Sequence, residues 1–419
     1  MGADDAERDV KRGRLGALSE RNFRNLYLGR AFSLFGDALV PVALAFAVLD
    51  LDRSASALGT VLAVRAAALV LFLLIGGVIA DRLPRRSILI VSDVIRLLAH
   101  GTMALLILSG NAELWHLVVL SGVFGLGWAF FLPTSTGFIP ETVSASRIQQ
   151  ANALIASTYS FAQILGPVVA GVVVVAAGAG WALALDALTF LVSAIFVARI
   201  NARAGGRERP ASSVVVDFKE GWREFTARTW LWVDGVYSAV TALVVLPAFF
   251  ALGPLVADRF LGGARSWATI VTAFGIGSVL GGLALLRLRP RRPLVVGVPP
   301  LVLLGVPLAL LATTGEVVLI AAGALAGGFG LTMFNTLFET AVQEHVPAAA
   351  LSRVASIDWM LSQALQPLGY ALVGPITASF GLDVPLKGAA LWILITTTVV
   401  LTVPSVRQLT RRNGGPNHS

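Results

Sequence analysis

Cysteine is absent from the 419 residues of this chain, and charged residues make up only 13% of them. Without cysteine, a disulfide, a thiolate metal site and a cysteine nucleophile are all excluded. A soluble domain has about 25% charged residues, whereas this chain is 56% hydrophobic and has a mean hydropathy of +0.80. Because the deficit of charge extends along the whole sequence, we predict a protein that is embedded in a membrane throughout.

Lysine is also scarce, since the chain contains only Lys11, Lys219 and Lys387. None of them is followed by Ser or Thr, so there is no P-loop, and no Gly-x-Ser-x-Gly nucleophile elbow is present. The four histidines do not have the spacing of metal ligands. The sequence therefore predicts no enzyme, no cofactor and no metal site, and any energy for transport must come from an ion gradient or from the substrate's own gradient.

Long apolar runs dominate what the sequence does contain. A membrane-spanning helix needs about 20 mostly apolar residues, and twelve such runs begin near Leu26, Ala55, Ser87, Leu114, Ile148, Trp181, Trp230, Ser266, Pro293, Val317, Val354 and Lys387. We therefore predict an all-α membrane protein with twelve transmembrane helices in two six-helix repeats. The predicted parts are an N-terminal tail (1–24), a first bundle (25–200), a polar central link (201–228), a second bundle (229–406) and a C-terminal tail (407–419).

Arginine is distributed unevenly between the connections that join the runs. One set of connections contains the arginine-rich segments 82–86 and 287–292, together with both tails and the central link, whereas the opposite set contains few basic residues. Since cytoplasmic loops are enriched in Lys and Arg, both termini are expected in the cytoplasm, with no cleaved signal peptide at the N-terminus. The net charge of +8 is then a topology signal, and no nucleic-acid partner is expected.

One segment nearly repeats itself about 205 residues later in the chain. Residues 76–86 read GGVIADRLPRR, and residues 281–292 read GGLALLRLRPRR. Each copy lies where one apolar run ends and the next begins. Many secondary transporters are built from duplicated halves, with the substrate site at the interface of the repeats, so this pattern indicates function as well as fold.

Over essentially the whole chain, these features resemble the major facilitator superfamily. Residues 77–86 are similar to the superfamily's signature loop, with a proline in place of the usual second glycine. The resemblance implies a cytoplasmic gate formed by Gly77, Asp81, Arg82, Arg85 and Arg86. For Arg85 and Arg86, a role in topology alone is the alternative. In the second copy Leu286 replaces the acid, so a charge network built on that acid is expected mainly in the first half.

A second signature lies in the fifth run, where residues 166–171 read GPVVAG. It is similar to the Gly-Pro motif of drug–proton antiporters in the superfamily, with Gly166, Pro167 and Gly171 at matching positions and Ala170 where a glycine is usual. Ordinary helix packing is the alternative, because Gly and Pro are common in membrane helices. With the opening segment 25–37, the pattern most resembles the branch that contains macrolide efflux pumps and the enterobactin exporter.

That resemblance implies proton-coupled export of a bulky amphipathic antibiotic, drug or siderophore by alternating access across a bacterial cytoplasmic membrane. The expected partners are the substrate, protons and the lipid bilayer, and a monomer is the default state. An importer or a lipid transporter on the same fold is one alternative. A membrane sensor or assembly factor without transport activity is another.

Ionisable side chains deep in a span are functional candidates, because each costs on the order of 3 kcal/mol there. Asp37 lies near the middle of the first run, and Arg65 lies well inside the second. The hypothesis is that Asp37 takes up and releases the coupled proton while Arg65 tunes its pKa. A permanent ion pair between them is the alternative. Glu339 in the tenth run is a further candidate for proton coupling.

Structural roles are predicted for three other acids. Asp93 lies three residues before Arg96 on one helix face, which predicts a local pair. Asp358 is expected in the first turn of the eleventh helix, where an acid complements the helix dipole. Asp186 is expected about one turn inside the sixth run, close to the membrane interface.

The resemblance also implies a central cavity lined largely by spans one, four, seven and ten. These spans, together with spans five and eleven, supply the following candidates: Phe35, Trp128, Phe131, Tyr159, Gln163, Tyr237, Phe334, Asn335, Phe338 and Gln363. A cavity rich in aromatic rings and poor in charge suits a bulky amphipathic solute. For any single aromatic residue, contact with lipid or with a neighbouring helix is the alternative.

Overall fold

The computed structural model describes residues 16–201, 214–288, 290–347 and 350–411, which form helices joined mostly by short connections. Within these ranges, eleven helical stretches are long and apolar enough to cross a membrane. Each of them begins within five residues of a start that the sequence predicts. The prediction of an all-α membrane protein is confirmed.

The described part of the first half contains seven α-helices: α1 (Arg21–Asp37), α2 (Val40–Leu51), α3 (Ala55–Arg82), α4 (Arg85–Leu108), α5 (Leu114–Thr142), α6 (Ile148–Ala177) and α7 (Ala179–Ala198). The first span consists of α1 and α2, because the helix is interrupted at Ala38 and Leu39. Asp37 is thus the last residue of a helix that ends in the middle of a span.

The described part of the second half contains α8 (Val214–Thr226), α9 (Thr229–Pro247), α10 (Gly253–Phe260), α11 (Ala264–Leu285), α12 (Pro293–Gly297), α13 (Gly305–Leu311), α14 (Val317–His345), α15 (Leu351–Ala364), α16 (Gln366–Phe380), α17 (Asp383–Thr402) and α18 (Pro404–Gln408). A π-helical turn at Ala248–Leu252 joins α9 to α10. A 3₁₀ segment at Pro299–Leu304 lies between α12 and α13.

The predicted eleventh span is the one that is not among these eleven stretches. It consists of α15 and α16, which are 14 and 15 residues long and are separated at Leu365. Pro367 has no N–H to donate to the carbonyl oxygen four residues earlier, which accounts for the interruption. The structure is therefore consistent with twelve spans, of which this one is formed by two shorter helices.

The chain folds into two compact units. Unit 1 comprises Met1–Leu51 and Val64–Glu208, and unit 2 comprises Asp52–Ala63 and Arg209–Ser419. In unit 1, α4 packs against α5 and α7, and α1 packs against α6 and α7. In unit 2, α11 packs against α14, and α9 packs against α15, α16 and α17. The division of the sequence at the link 201–228 stays a prediction.

Apolar side chains lie on the outside of the helices, and several charged side chains lie inside. Leu71, Leu105 and Val318 are 69%, 70% and 78% exposed, whereas Asp93 and Arg96 are fully buried. A soluble protein rarely exposes so much apolar surface. Acyl chains provide a suitable environment for these outer faces, as expected for membrane helices whose backbone groups are paired internally.

The internal repeat is visible in the packing of each unit. A Cβ atom added to Gly76 of α3 would lie 2.7 Å from the carbonyl oxygen of Ala129 on α5. A Cβ atom added to Gly281 of α11 would lie 2.6 Å from the carbonyl oxygen of Phe329 on α14. In both copies, the first glycine of the repeated segment therefore lets the second span of its half approach the backbone of the fourth.

Candidate functional site

A network of charged side chains lies inside unit 1, where α1, α4 and α7 pack together. Asp93 and Arg96 are fully buried, and Nη2 of Arg96 donates a hydrogen bond to Oδ1 of Asp93. Nη1 of the same guanidinium lies 3.6 Å from Oδ2 of Asp37 at the end of α1. The predicted local pair between Asp93 and Arg96 is therefore present. Arg96 also forms an ion pair with Asp37, which belongs to another helix.

Aromatic rings enclose the guanidinium of Arg96. Its central carbon lies 3.9 Å from the ring centroid of Phe131 and 4.3 Å from that of Phe190. Such contacts stabilise a cation that has lost its water shell. Phe131, a predicted cavity residue, is only 7% exposed in this arrangement, and its role in binding substrate stays a prediction.

A second buried pair joins α4 to α7. Nδ1 of His100 is hydrogen-bonded to Oδ2 of Asp186, and both residues are fully buried. The imidazole ring stacks on Phe124 of α5, with centroids 4.0 Å apart and planes 9° from parallel. Asp186 is fully buried because α4 packs along this face of α7 and covers the carboxylate, and its expected depth near the membrane interface stays a prediction.

His100 is a residue that sequence reasoning missed. The spacing of metal ligands does not identify His100, because the nearest histidine in the sequence, His116, is 16 residues away. The relevant signal is that Asp93, Arg96 and His100 follow an i, i+3, i+7 pattern, which places all three on one face of α4. Asp186 lies on the facing helix, and only the packing of α4 against α7 brings it to the histidine.

Arg65 lies on α3, beside the same aromatic cluster. Its guanidinium carbon is 4.2 Å from the ring centroid of Phe124 and 5.2 Å from that of Trp128. The ion pair that the structure records for Asp37 is the one with Arg96. Arg65 still acts electrostatically on Asp37, and its part in proton coupling stays a prediction.

The break after Asp37 is packed against the Gly-Pro motif of α6. A Cβ atom added to Gly166 would lie 2.4 Å from the Cβ atom of Ala38 and 2.8 Å from its carbonyl carbon. Gly166 therefore lets α6 reach the interrupted backbone of the first span, and Pro167, at the next position, is also buried. The motif thus lies against the break that follows the candidate proton carrier, although its role in export stays a prediction.

The network contains equal numbers of arginines and carboxylates, and several of its atoms are not hydrogen-bonded. Electrostatic interactions connect the arginines Arg30, Arg65 and Arg96 with the acids Asp37, Asp93 and Asp186. In the described part of the chain, the buried atoms without a hydrogen-bond partner include Arg30 Nε and Nη1, Asp37 Oδ1, Asp93 Oδ2, Arg96 Nε, His100 Nε2 and Asp186 Oδ1. Such a network has unused donors and acceptors with which to respond to the gain or loss of a proton.

Two arginines of the predicted gate bind the ends of neighbouring helices. Nη1 of Arg85 donates to the carbonyl oxygen of Gly137 and lies 2.8 Å from Oε1 of Glu141, both near the end of α5. Arg86 donates to two carbonyl oxygens in the last turn of α7, at positions 197 and 198. Cations are favourable near these helix ends because they complement the negative end of the helix dipole. Three other gate residues lie outside the described side chains, namely Gly77, Asp81 and Arg82.

The remaining cavity candidates of unit 1 are partly exposed. Phe35 and Trp128 are half-buried, and Tyr159 is 51% exposed. Nε2 of Gln163 donates a hydrogen bond of 3.3 Å to Oη of Tyr159, one turn earlier on α6. These side chains are accessible within unit 1, and their contact with substrate stays a prediction.

Most of the cavity candidates of unit 2 have partners within the unit. Tyr237, Phe334 and Phe338 are each more than nine-tenths buried. The rings of Phe334 and Phe338 stack with centroids 5.6 Å apart, and Oη of Tyr237 lies 3.2 Å from Oγ1 of Thr397. Two polar candidates differ, since Asn335 is exposed and Gln363 donates to Gln366 at 3.3 Å. The assignment of all five to a cavity stays a prediction.

Unit 2 also contains a group of three electrostatically linked acids, one each on α9, α14 and α15. Asp234 is 8% exposed, and it interacts electrostatically with Asp358, which in turn interacts with Glu339. Asp358 is the eighth residue of α15, whose first residue is Leu351. Its predicted position in the first turn is therefore wrong, because the helix begins earlier than the sequence indicates. Glu339 lies exposed on α14, and its role in proton coupling stays a prediction.

Comparison with known proteins identifies the family. The sequence model of the Major Facilitator Superfamily matches residues 26–370. The chain belongs to this superfamily. The multidrug efflux pump Tap of Mycolicibacterium fortuitum is 27% identical over 387 residues, which cover 87% of this chain and 92% of Tap. Macrolide efflux protein A of Streptococcus pyogenes is 21% identical over 391 residues, which cover 92% and 94% of the two chains.

A third relative and two solved structures agree with this assignment. The putative bacilysin exporter BacE of Bacillus subtilis is 27% identical over 263 residues, which cover 62% of this chain and 65% of BacE. The peptide transporter POT superposes with a TM-score of 0.74 at 12% identity, over 94% of this chain and 96% of POT. The nucleoside transporter NupG superposes with a TM-score of 0.70 at 14% identity, over 91% and 98%. The major facilitator fold is confirmed.

The family settles the general activity of the protein. Its relatives are membrane transporters of the export type, so the predicted transporter and its multi-pass membrane location are confirmed. Transport, rather than the conversion of a substrate, is the activity of this superfamily.

Proposed function

We propose that this protein exports a bulky amphipathic small molecule across a bacterial cytoplasmic membrane in exchange for protons, by alternating access. The observation that carries this proposal is the position of Asp37. Its carboxylate lies at a helix end in the middle of the first span, 3.6 Å from an arginine that is hydrogen-bonded to a second acid. A membrane-buried acid with a shared counter-ion is a suitable carrier for an exchangeable proton.

The geometry gives Asp37 and Asp93 different roles. Asp93 accepts a hydrogen bond from Arg96, whereas Asp37 lies at 3.6 Å, which is longer than a hydrogen bond. Protonation of Asp37 therefore removes one electrostatic contact and leaves the Asp93–Arg96 pair intact. Two unit charges at that separation interact by about 5 kcal/mol at an effective dielectric constant of about 20, so a small movement of α1 relative to α4 changes the proton affinity of Asp37.

Exposure also distinguishes Asp37 from the other acids of the network. Its side chain is 19% exposed, whereas the side chains of Asp93 and Asp186 are fully buried. We infer that protons enter and leave the network through Asp37. Arg65 and Arg30 contribute positive charge around it and limit the cost of its ionised state.

The substrate class rests on the relatives and on the candidate cavity residues. The relatives are named for multiple drugs, macrolides and bacilysin, and the candidate residues are mainly aromatic and amide side chains. Such a lining binds large apolar surfaces and a few polar groups. The proposed substrate is therefore an antibiotic or another drug, with a siderophore as a further member of the class. The transporter is proposed to act as a monomer with both termini in the cytoplasm.

Proton flux in inverted membrane vesicles tests this function. A pH-sensitive dye follows an imposed gradient while macrolides, cationic drugs and catecholate siderophores are added in turn. We expect one class to dissipate the gradient with the wild type and to have no effect with Asp37→Asn. Asp383→Asn is the matched control, because this acid is exposed and forms an ion pair with Lys387 one turn away, far along the sequence from Asp37.

The possible outcomes separate the alternatives. Full substrate-dependent flux with Asp37→Asn would contradict the role of Asp37. Flux of the opposite sign would indicate an importer. Binding of a compound without any flux would support a sensor rather than a transporter.

A further inference from the structure

We propose that Asp186 and His100 form a second proton-binding site, in which the histidine relays a proton to the carboxylate and remains neutral. This inference rests on the proposed function, because it adds a second titrating site to the pathway of Asp37. It is carried by three observations on unit 1: the hydrogen bond between the pair, the unpartnered Nε2 of His100, and the position of Asp186 beside the end of α1.

The charged groups that act on the pair lie on α1, α3 and α4. On α4, Arg96 lies one turn before His100. On α1 and α3, the charged groups that act on His100 are Asp37 and Arg65. The neighbouring α5 contributes the ring of Phe124, which is not charged. Because His100 is hydrogen-bonded to Asp186, a proton added here is shared by these two residues.

The neutral imidazole is able to bind the carboxylate in either of two ways. When the site is empty, Nδ1–H of His100 donates to the ionised Oδ2 of Asp186, and Nε2 carries a free lone pair. A proton that arrives on Nε2 forms a new N–H bond. The Nδ1–H bond then breaks as its proton forms an O–H bond with Oδ2, and that O–H group donates back to Nδ1. One proton has been gained, the ring is again neutral, and no heavy atom has to move.

In this site, an ion pair between a histidine cation and Asp186 is less favourable than the relay. Two arginines already act on His100, and a third cation in a fully buried position would be poorly solvated. In the relay, the added proton neutralises Asp186 instead. The Nε2 atom, which is buried and has no hydrogen-bond partner in the described residues, is then the atom that accepts the incoming proton. This role accounts for the missing partner.

The position of Asp186 connects this site with Asp37. A Cβ atom added to Gly36 would lie 2.4 Å from Oδ1 of Asp186, so this oxygen lies against the backbone immediately before Asp37. Neither Oδ1 of Asp186 nor Oδ1 of Asp37 has a hydrogen-bond partner in the described residues. The two acids also interact electrostatically. We therefore expect the protonation of one site to change the titration of the other.

Nitrogen NMR of the purified full-length protein tests the relay directly. The chain has four histidines, so selective ¹⁵N labelling gives few signals, and His100→Gln identifies those of His100. As the pH falls from about 9 to about 5, we expect His100 to change from the Nδ1–H tautomer to the Nε2–H tautomer without forming an imidazolium. We also expect Asp37→Asn to move the midpoint of this change.

Variants and transport assays complete the test. Asp186→Asn should hold His100 in one tautomer at every pH, and Asp383→Asn should leave the change intact. A His100 signal that is constant over this range, or that becomes an imidazolium, would overturn the proposal. If Asp186→Asn does not fold, the wild-type titration still decides. Since NMR needs no transport, a tautomer change without substrate-driven proton flux would reject the proposed function alone, and flux without a tautomer change would reject this site alone.

Discussion

At the scale of single residues, Arg96 is the centre of the charge network. It pairs with Asp93 and Asp37 and lies against two aromatic rings, with no exposure of its side chain. Replacing it by methionine leaves two carboxylates without their counter-ion, which costs about 3–5 kcal/mol in a buried site. We therefore expect Arg96→Met to unfold at a clearly lower temperature than the wild type, as measured on purified protein in detergent.

A double variant supplies the control for this prediction. Asp93→Asn combined with Arg96→Met removes one of the abandoned charges, so part of the lost stability should return. If Arg96→Met unfolds at the wild-type temperature, the network does not hold ionised carboxylates, and the account of the site is wrong at its centre.

The sequence was sufficient to predict which residues of the site are unusual, but not all of their partners. Asp37 and Arg65 are recognisable because charges are costly inside apolar runs, and Asp93 with Arg96 is recognisable from helical spacing. The contact between Arg96 and Asp37 depends on how α1 packs near α4, and that between His100 and Asp186 depends on how α4 packs against α7. No local pattern contains this information.

At the scale of helices, the break in the first span packs closely against α6. Gly166→Ala would place a methyl group 2.4 Å from the Cβ atom of Ala38, so the two helices must separate. Overpacking of this kind costs about 1–3 kcal/mol. We expect lower thermal stability and reduced substrate-driven proton flux for Gly166→Ala.

Gly101→Ala is the matched control for this helix contact. It makes the same substitution on α4, but the added Cβ atom would meet only Ala187, at an ordinary distance of 3.8 Å. Its stability should equal or exceed that of the wild type, because alanine favours a helix by about 1 kcal/mol over glycine. Equal losses of thermal stability in Gly166→Ala and Gly101→Ala would show that the close contact at Gly166 is not the cause of the loss.

Helix positions follow closely from the apolar runs, but helix interruptions do not. The starts of the spans are predicted to within five residues. The break after Asp37 was not predicted, because apolar residues continue on both sides of it and hydropathy alone does not reveal a lost hydrogen bond. A proline follows each interruption: Pro367 in the eleventh span, and Pro41 in the first, where the missing N–H leaves the carbonyl oxygen of Asp37 without its helical donor.

At the scale of the whole molecule, each half contains its own copy of a glycine packing contact and of an exposed ion pair. Arg147 lies 3.5 Å from Glu20 in the first half, and Arg353 lies 2.7 Å from Glu220 in the second. The buried charge network is not repeated in this way, because the positions 205 residues after Asp37, Asp93 and His100 carry alanine, valine and glycine. This asymmetry supports our proposal that Asp37, in the first half, carries the coupled proton.

The orientation of the whole chain is testable because cysteine is absent. We expect a single cysteine introduced by Asn111→Cys to react with a membrane-impermeant maleimide on intact cells. A cysteine introduced by Ser146→Cys should react only after permeabilisation. Both native side chains are exposed, and they lie in connections that the arginine distribution assigns to opposite sides. The reverse labelling pattern would place both termini outside the cytoplasm.

The most direct test of the central claim is substrate accumulation in liposomes that contain only the purified protein. With a pH gradient as the sole driving force, the wild type should accumulate the identified substrate. Asp37→Asn should exchange labelled for unlabelled substrate across the membrane but should not accumulate it. Accumulation by Asp37→Asn equal to that of the wild type would contradict the claim that this carboxylate carries the proton.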